Sequence, residues 1–232
     1  YPTNVELIYA GSTDKNEVWG TVLRSNDGGK SFVTLPLAGQ STHPLQDLLV
    51  LPTDPTKLFV SDEYGIIYSE DSGDTWTRFT SAAIGTAPPS QNLPQAPFAL
   101  AADGAGVIYA VDKFPSNRGV TTYRSDDGGK TWWSAIQKLP NGARILISNP
   151  HVSGKIYAGL DGFGIWKTDS SGGAWTERNT GIRSIVQVES LAVPLNDPTI
   201  IYASSYSGPR PGLYYSKNGG FSWTTVIADM PI

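Results

Sequence analysis

Hydrophobic positions in this chain fall in short runs separated by turn residues, and the runs recur in the same order. "PTNVELIYAG", "PTDPTKLFVS", "GAGVIYAV", "PHVSGKIYAG" and "PLNDPTIIYAS" each pass from a turn into a short apolar segment. Each is followed by "TVLRS", "GIIYS", "TTYRS", "GIWKT" or "GLYYS", and then by "SFVTL", "TWTRF", "TWWSA", "AWTER" or "SWTTV". Ahead of the turn, four copies carry one further run: "LQDLLVL", "FALAA", "ARILIS" and "ESLAVP". Short apolar runs bounded by Gly, Pro, Asn and Asp predict β-strands joined by turns. The repeating unit is four strands, A to D.

Between strands C and D lies one motif, clearest in "YRSDDGGKTW" and present as "LRSNDGGKSF", "IYSEDSGDTW", "WKTDSSGGAW" and "YYSKNGGFSW". The pattern is Ser/Thr-x-Asp-x-Gly-x-Thr/Ser-aromatic. Its closing aromatics are Phe32, Trp76, Trp132, Trp175 and Trp223, separated by 44, 56, 43 and 48 residues. That period is the length of a four-stranded propeller blade. The sequence therefore predicts an all-β propeller of antiparallel blades at approximately 1–38, 45–80, 97–139, 143–180 and 188–228.

The motif reads as a turn. Gly29, Gly73, Gly129, Gly172 and Gly220 supply the positive φ that a tight hairpin needs. Ser25, Asp27, Ser69, Asp71, Ser125, Asp127 and Asn218 are short side chains that can bond the turn's own backbone, and the aromatic packs beneath the hairpin. A calcium loop would need more carboxylates and a closing Glu. A phosphate loop would need its Gly-Lys-Ser/Thr to open a helix, but "GGKTW" opens a strand. Ser170 and Asn218 replace the motif Asp in the last two copies, which a metal site would not tolerate and a turn does.

Composition narrows the function classes. The 232 residues carry a net charge of −4, against a nucleic-acid partner. No apolar run reaches the length of a membrane span. With no cysteine, thiolate metal sites, disulfides and Cys nucleophiles are excluded. His43 and His151 are too far apart in sequence to suggest a metal site or a triad. No cofactor and no metal are expected.

The motif Ser-x-Asp-x-Gly-x-Thr-Trp resembles the Asp-box, or BNR repeat, of sialidases, xyloglucanase-type hydrolases, sortilin-type receptors and photosystem assembly factors. The resemblance covers the whole chain and implies a β-propeller. In those families the Asp-box lies on the blade rim, away from the catalytic face.

Aligning the blades puts Tyr1 level with Leu51 and Asn149, at the end of strand A. The first blade is thus expected to lack its innermost strand. Either "ADMPI" at the C-terminus latches the ring, or the chain is part of a longer propeller; the second is favoured, because open edges are a liability.

Function is expected on the face formed by the B–C and D–A loops, which are longer and more varied. There Trp19, Tyr64, Phe163 and Tyr206 supply flat rings, and Arg118, Arg183 and Arg210 supply cations, suited to a glycan or a protein partner. A glycoside hydrolase would need paired carboxylates. Asp62 and Asp161, each just after strand B, are the first candidates, with Asp47 and Glu189 at the starts of A strands as alternatives. The xyloglucanase resemblance implies a catalytic Asp after a strand B, though its usual Asp-x-Gly-Gly is only loosely matched by "DEYG" and "DGFG". A sialidase would need its three arginines and opening motif, and no such motif is present. The expectation is an exported propeller, extracellular, at the cell surface or periplasmic, that binds or scaffolds without catalysis. Part of an extracellular glycoside hydrolase is the alternative. An assembly factor with clustered arginines is a third reading.

Overall fold

The computed structural model describes residues 6–12, 20–37, 39, 41, 43–79, 97–112, 119–134, 137–149, 152–182, 187–207 and 212–228. They form five antiparallel sheets. The first sheet comprises β1 (Ile8–Ser12), β2 (Thr21–Ser25) and β3 (Val33–Leu35). The second comprises β4 (Asp47–Val50), β5 (Leu58–Asp62), β6 (Gly65–Ser69) and β7 (Thr77–Arg78). The third comprises β8 (Pro97–Ala102), β9 (Ile108–Asp112), β10 (Thr122–Ser125) and β11 (Trp133–Ser134). The fourth comprises β12 (Ala143–Ser148), β13 (Ile156–Leu160), β14 (Gly164–Thr168) and β15 (Thr176–Glu177). The fifth comprises β16 (Gln187–Ala192), β17 (Ile201–Ser207), β18 (Gly212–Ser216) and β19 (Thr224–Ala228). Each sheet is a plain meander, so the chain is an all-β propeller of Asp-box blades. Among the described residues the first blade has three strands, matching B, C and D of the others.

Blades join through one repeated contact. The innermost strands β4, β8, β12 and β16 lie side by side, and β1 lies beside β4. Four apolar cores fill the joints between successive blades. Strand B of one blade presents an aromatic toward the Asp-box of the next. Tyr9 donates to the Ser72 carbonyl at 3.3 Å, and Tyr157 to the Gly219 carbonyl at 3.2 Å. Among the described residues no apolar core joins the fifth blade to the first. Accordingly Phe32, the first blade's box aromatic, is 44% exposed, whereas Trp76, Trp132, Trp175 and Trp223 lie between 1% and 5%.

The box turns form as their residue types dictate. Ser25, Ser69, Ser125 and Ser216 each accept the N–H of the box glycine four residues on, at 2.8–2.9 Å. Asp27, Asp71 and Asp127 each accept both the N–H and the hydroxyl of the Ser or Thr four residues later. Asn218 reproduces the backbone bond from Ser222 at 2.9 Å, and Ser170 that from Ala174 at 2.9 Å. Box glycines have φ of 88°, 92°, 88°, 85° and 84° in chain order. The residue before the box glycine is also left-handed; there Ser72 (φ 64°) and Ser171 (φ 53°) replace glycine.

The indole N–H groups of the box tryptophans find different acceptors. Trp76 and Trp132 do bond beneath their own hairpins, to the Gly73 and Gly129 carbonyls at 2.9 and 2.8 Å. Trp175 and Trp223 instead donate into the preceding blade, to Thr122 Oγ1 at 3.3 Å and the Arg178 carbonyl at 2.7 Å. An indole N–H buried in a joint takes whichever acceptor it meets there.

Candidate functional site

The ends of the B strands and the starts of the A strands share one face, and the carboxylates expected there sit in different environments. Asp62 is fully buried. Its two oxygens accept from Arg78 Nη1 at 2.9 Å and Nη2 at 2.5 Å, Ser41 Oγ at 2.7 Å and the Tyr64 N–H at 2.8 Å. Burial works against its charge, but the Arg78 and Ser41 hydrogen bonds outweigh it and hold the carboxyl below its usual range. This is a neutralised ion pair with its lone pairs occupied.

Asp161 does not share that position. Asp62 is the last residue of β5, pairs with Gly65, and closes a two-residue turn. In the fourth blade Leu160 pairs with Gly164, so the turn holds three residues, Asp161 to Phe163. The register equivalent of Asp62 is therefore Leu160, which is also fully buried. One extra turn residue carries Asp161 off the strand into solvent; its side chain is 52% exposed. Arg144 Nη2 lies 3.8 Å from it, and Arg144 Nη1 also reaches Glu189 at 3.4 Å. Gln187 donates to the other Glu189 oxygen at 2.7 Å. Arg144 thus links Asp161 to Glu189 across the fourth and fifth blades.

Asp47, at the start of β4, is half-buried and lines a cavity of about 340 Å³ together with Tyr9, Gly11 and Gln46. It accepts the N–H groups of Leu48 and Leu100 at 2.8 and 2.7 Å, tying the second blade to the third. Burial raises its pKa to about 6 despite those two bonds. In the third blade Asp112 takes the register position of Asp62 and accepts the Tyr123 hydroxyl at 2.8 Å.

Among the described residues, two rings are exposed on this face: Tyr64 at 63% and Phe163 at 43%. Tyr64 packs against His43 with ring centroids 4.5 Å apart. Trp19, Arg118, Arg183 and Arg210 lie outside the described residues, as does the Tyr206 side chain. Arg78, Ser41 and Arg144 were not singled out in the sequence. Each stands on a strand or loop remote in the chain from its carboxylate, so only the sheet register brings them together.

The box carboxylates form a separate class on the opposite rim. Asp27 and Asp71 are lowered to about 2, chiefly by the hydroxyls of Ser31 and Thr75; Asp71 is exposed and Asp27 half-buried. For Asp127 burial opposes the charge, and bonds from Thr131 outweigh it, so its pKa is lowered too. Among the described residues no three His, Asp or Glu converge as metal ligands. No described helix is long and apolar enough to cross a membrane.

No family model matches the chain. A xyloglucanase of a Paenibacillus species is 28% identical over 256 aligned positions, which span 94% of this chain and 24% of that protein. A xyloglucanase of Hypocrea jecorina is 28% identical over 174 positions, 73% of this chain and 19% of that protein. The chain thus spans about a quarter or less of the curated relatives it matches. Among solved structures, the GH74 xyloglucanase of Xanthomonas campestris superposes with a TM-score of 0.73 at 20% identity, over 97% of this chain and 37% of that one. YCF48 bound to D1 peptide gives 0.59 at 20% identity, over 93% and 65%. These structural likenesses establish the propeller fold.

Proposed function

We propose that this chain is a saccharide-gripping propeller of a larger, exported xyloglucanase-like glycoside hydrolase, holding a neutral β-glucan across its B–C and D–A loop face. One observation carries the reading: the exposed rings Tyr64 and Phe163 share that face with the Arg144–Asp161–Glu189 cluster. Flat rings stack on the apolar faces of sugars, and a paired guanidinium with free carboxylate lone pairs serves their hydroxyls. The similarity to xyloglucanases over nearly the whole chain supports this class of ligand.

Binding rather than turnover is the role assigned to these residues. Hydrolysis needs one carboxyl to donate a proton and a second to act as base or nucleophile. Asp62 is committed to Arg78 and fits neither part. Asp161 and Glu189 both contact one arginine, Arg144, which occupies oxygens on each of them. Asp47, with its pKa near 6 and a cavity beside it, is the carboxyl here best suited to donate a proton. Any catalytic partner for it would belong to the rest of the protein.

Native affinity electrophoresis in gels containing xyloglucan tests the reading. Retardation that falls at least threefold in Tyr64→Ala and Phe163→Ala is expected. Unretarded migration, or retardation indifferent to both substitutions, would refute it.

A further inference from the structure

Four joints between blades repeat one contact, and three of them are filled on the Asp-box side. At the first joint Arg24 crosses to the Ser72 carbonyl at 2.9 Å and to Asp74 at 3.0 Å. At the second, Tyr68 stacks on Phe79 with centroids 4.2 Å apart, and Phe79 lies over Gly129. At the fourth, Phe221 fills the space between Lys167 and Arg178, at 5.2 and 4.5 Å. The third joint is open. The box residue that is Asp74 in the second blade and Phe221 in the fifth is Gly173 here, with no side chain to fill the gap. Arg124, at the position of Arg24, turns back to its own blade and bonds Asp126 at 2.6 Å.

The result is a groove of about 480 Å³ between the third and fourth blades. Trp133 lines it and is 40% exposed. Trp133 is the cross-strand partner of Arg124, so ring and guanidinium stand side by side. The corresponding residues in the other blades are Val33, Thr77, Thr176 and Thr224. The box edge of the fourth blade, Ser170 to Gly173, forms the opposite wall.

We propose that this groove is a second saccharide site, on the opposite face from the loops, and that it takes a neutral oligosaccharide stacked on Trp133. Volume, ring and polar wall together favour a small ligand with one apolar face and many hydroxyls. Charge decides against an anion: Asp126 already neutralises Arg124. The pair presents donors and acceptors side by side, as vicinal hydroxyls require. The inference rests on the groove alone and is independent of the loop face.

Cellotetraose and tri-galacturonate are the probes, read by the indole N–H signals in two-dimensional NMR. The Trp133 signal is assigned by its loss in Trp133→Ala. A saturable shift of that signal with cellotetraose is expected, with a weaker response to tri-galacturonate. Gly173→Asp gives Arg124 the acceptor that Asp74 gives Arg24, and a Cβ there meets nothing closer than the Ser170 carbonyl at 3.1 Å. It should weaken cellotetraose at least tenfold while leaving the melting temperature within a few degrees. An unmoved Trp133 signal, an undiminished response in Gly173→Asp, or tighter binding of tri-galacturonate would each overturn the proposal. Phe163→Ala should leave the Trp133 response intact, so failure of this site and failure of the loop face are told apart.

Discussion

Asp62 in the second blade and Asp161 in the fourth both follow a B strand in the sequence, yet one residue of turn length separates their chemistry. The two-residue turn leaves Asp62 as a strand residue aimed into protein, where Arg78 and Ser41 neutralise it. The three-residue turn lifts Asp161 into water and gives its strand position to Leu160. Side chains alternate along a strand, so a single inserted residue decides whether an acid serves the fold or the surface. Repeated architecture transmits backbone position faithfully and side-chain role poorly.

The comparison can be broken hardest from the Arg78 side. Arg78→Met leaves a buried carboxylate without its cation and should lower stability by about 3–5 kcal/mol. Adding Asp62→Leu, the fourth blade's own solution, should recover at least half of that loss. Urea denaturation of the single and double variants checks both. A double variant no more stable than the single would show that the ion pair does more than satisfy itself.

Asp47 gives the next effect, and its sign is the reverse of an ordinary salt-bridged acid. Its folded pKa, about 6, lies above the unfolded 3.8, so the folded state binds more protons between those values. Stability should fall as pH rises from about 4 to 6, by on the order of 2 kcal/mol, and then level off. Asp27 and Asp71 act in a different window. Their pKa values near 2 mean that their contribution is complete above about 4 and is lost as pH falls toward 2. Denaturation midpoints across pH 2–8 should therefore peak near pH 4. Asp47→Asn should flatten the alkaline side of the peak and leave the acid side unchanged.

Smaller effects sharpen the contrast. Asp127→Ala removes three hydrogen bonds at a box turn and should cost about 1–2 kcal/mol. Asp161→Asn should change stability by less than about 0.5 kcal/mol, as for an exposed side chain with one loose ion pair. Its effect should appear in xyloglucan binding instead.

The fold was legible because each blade repeats its own instructions. The box glycines, the Ser and Asp that bond them and the spacing of the closing aromatics are local signals, and every box turn formed as those residues require. Turn length was less legible: "VSDEYG" and "GLDGFG" look alike until the register of β5 with β6 and β13 with β14 is known. Arg78 could not be matched to Asp62 without that register, nor Arg144 to Glu189 without the neighbouring blade. The open third joint was hidden for a related reason. It arises from a missing side chain at Gly173 opposite an added ring at Trp133, forty residues apart.

The uncovered Phe32 bears on how the molecule comes apart. Each apolar core holds two successive blades, so among the described residues a middle blade is gripped from both sides. A strand packed between two such cores opens later than one that touches a single core. Amide protons of β9 and β13, gripped from both sides, should exchange with solvent most slowly. Those of β2, beneath a box whose ring is half in water, should exchange sooner, so that deuteration reads how many cores grip each blade.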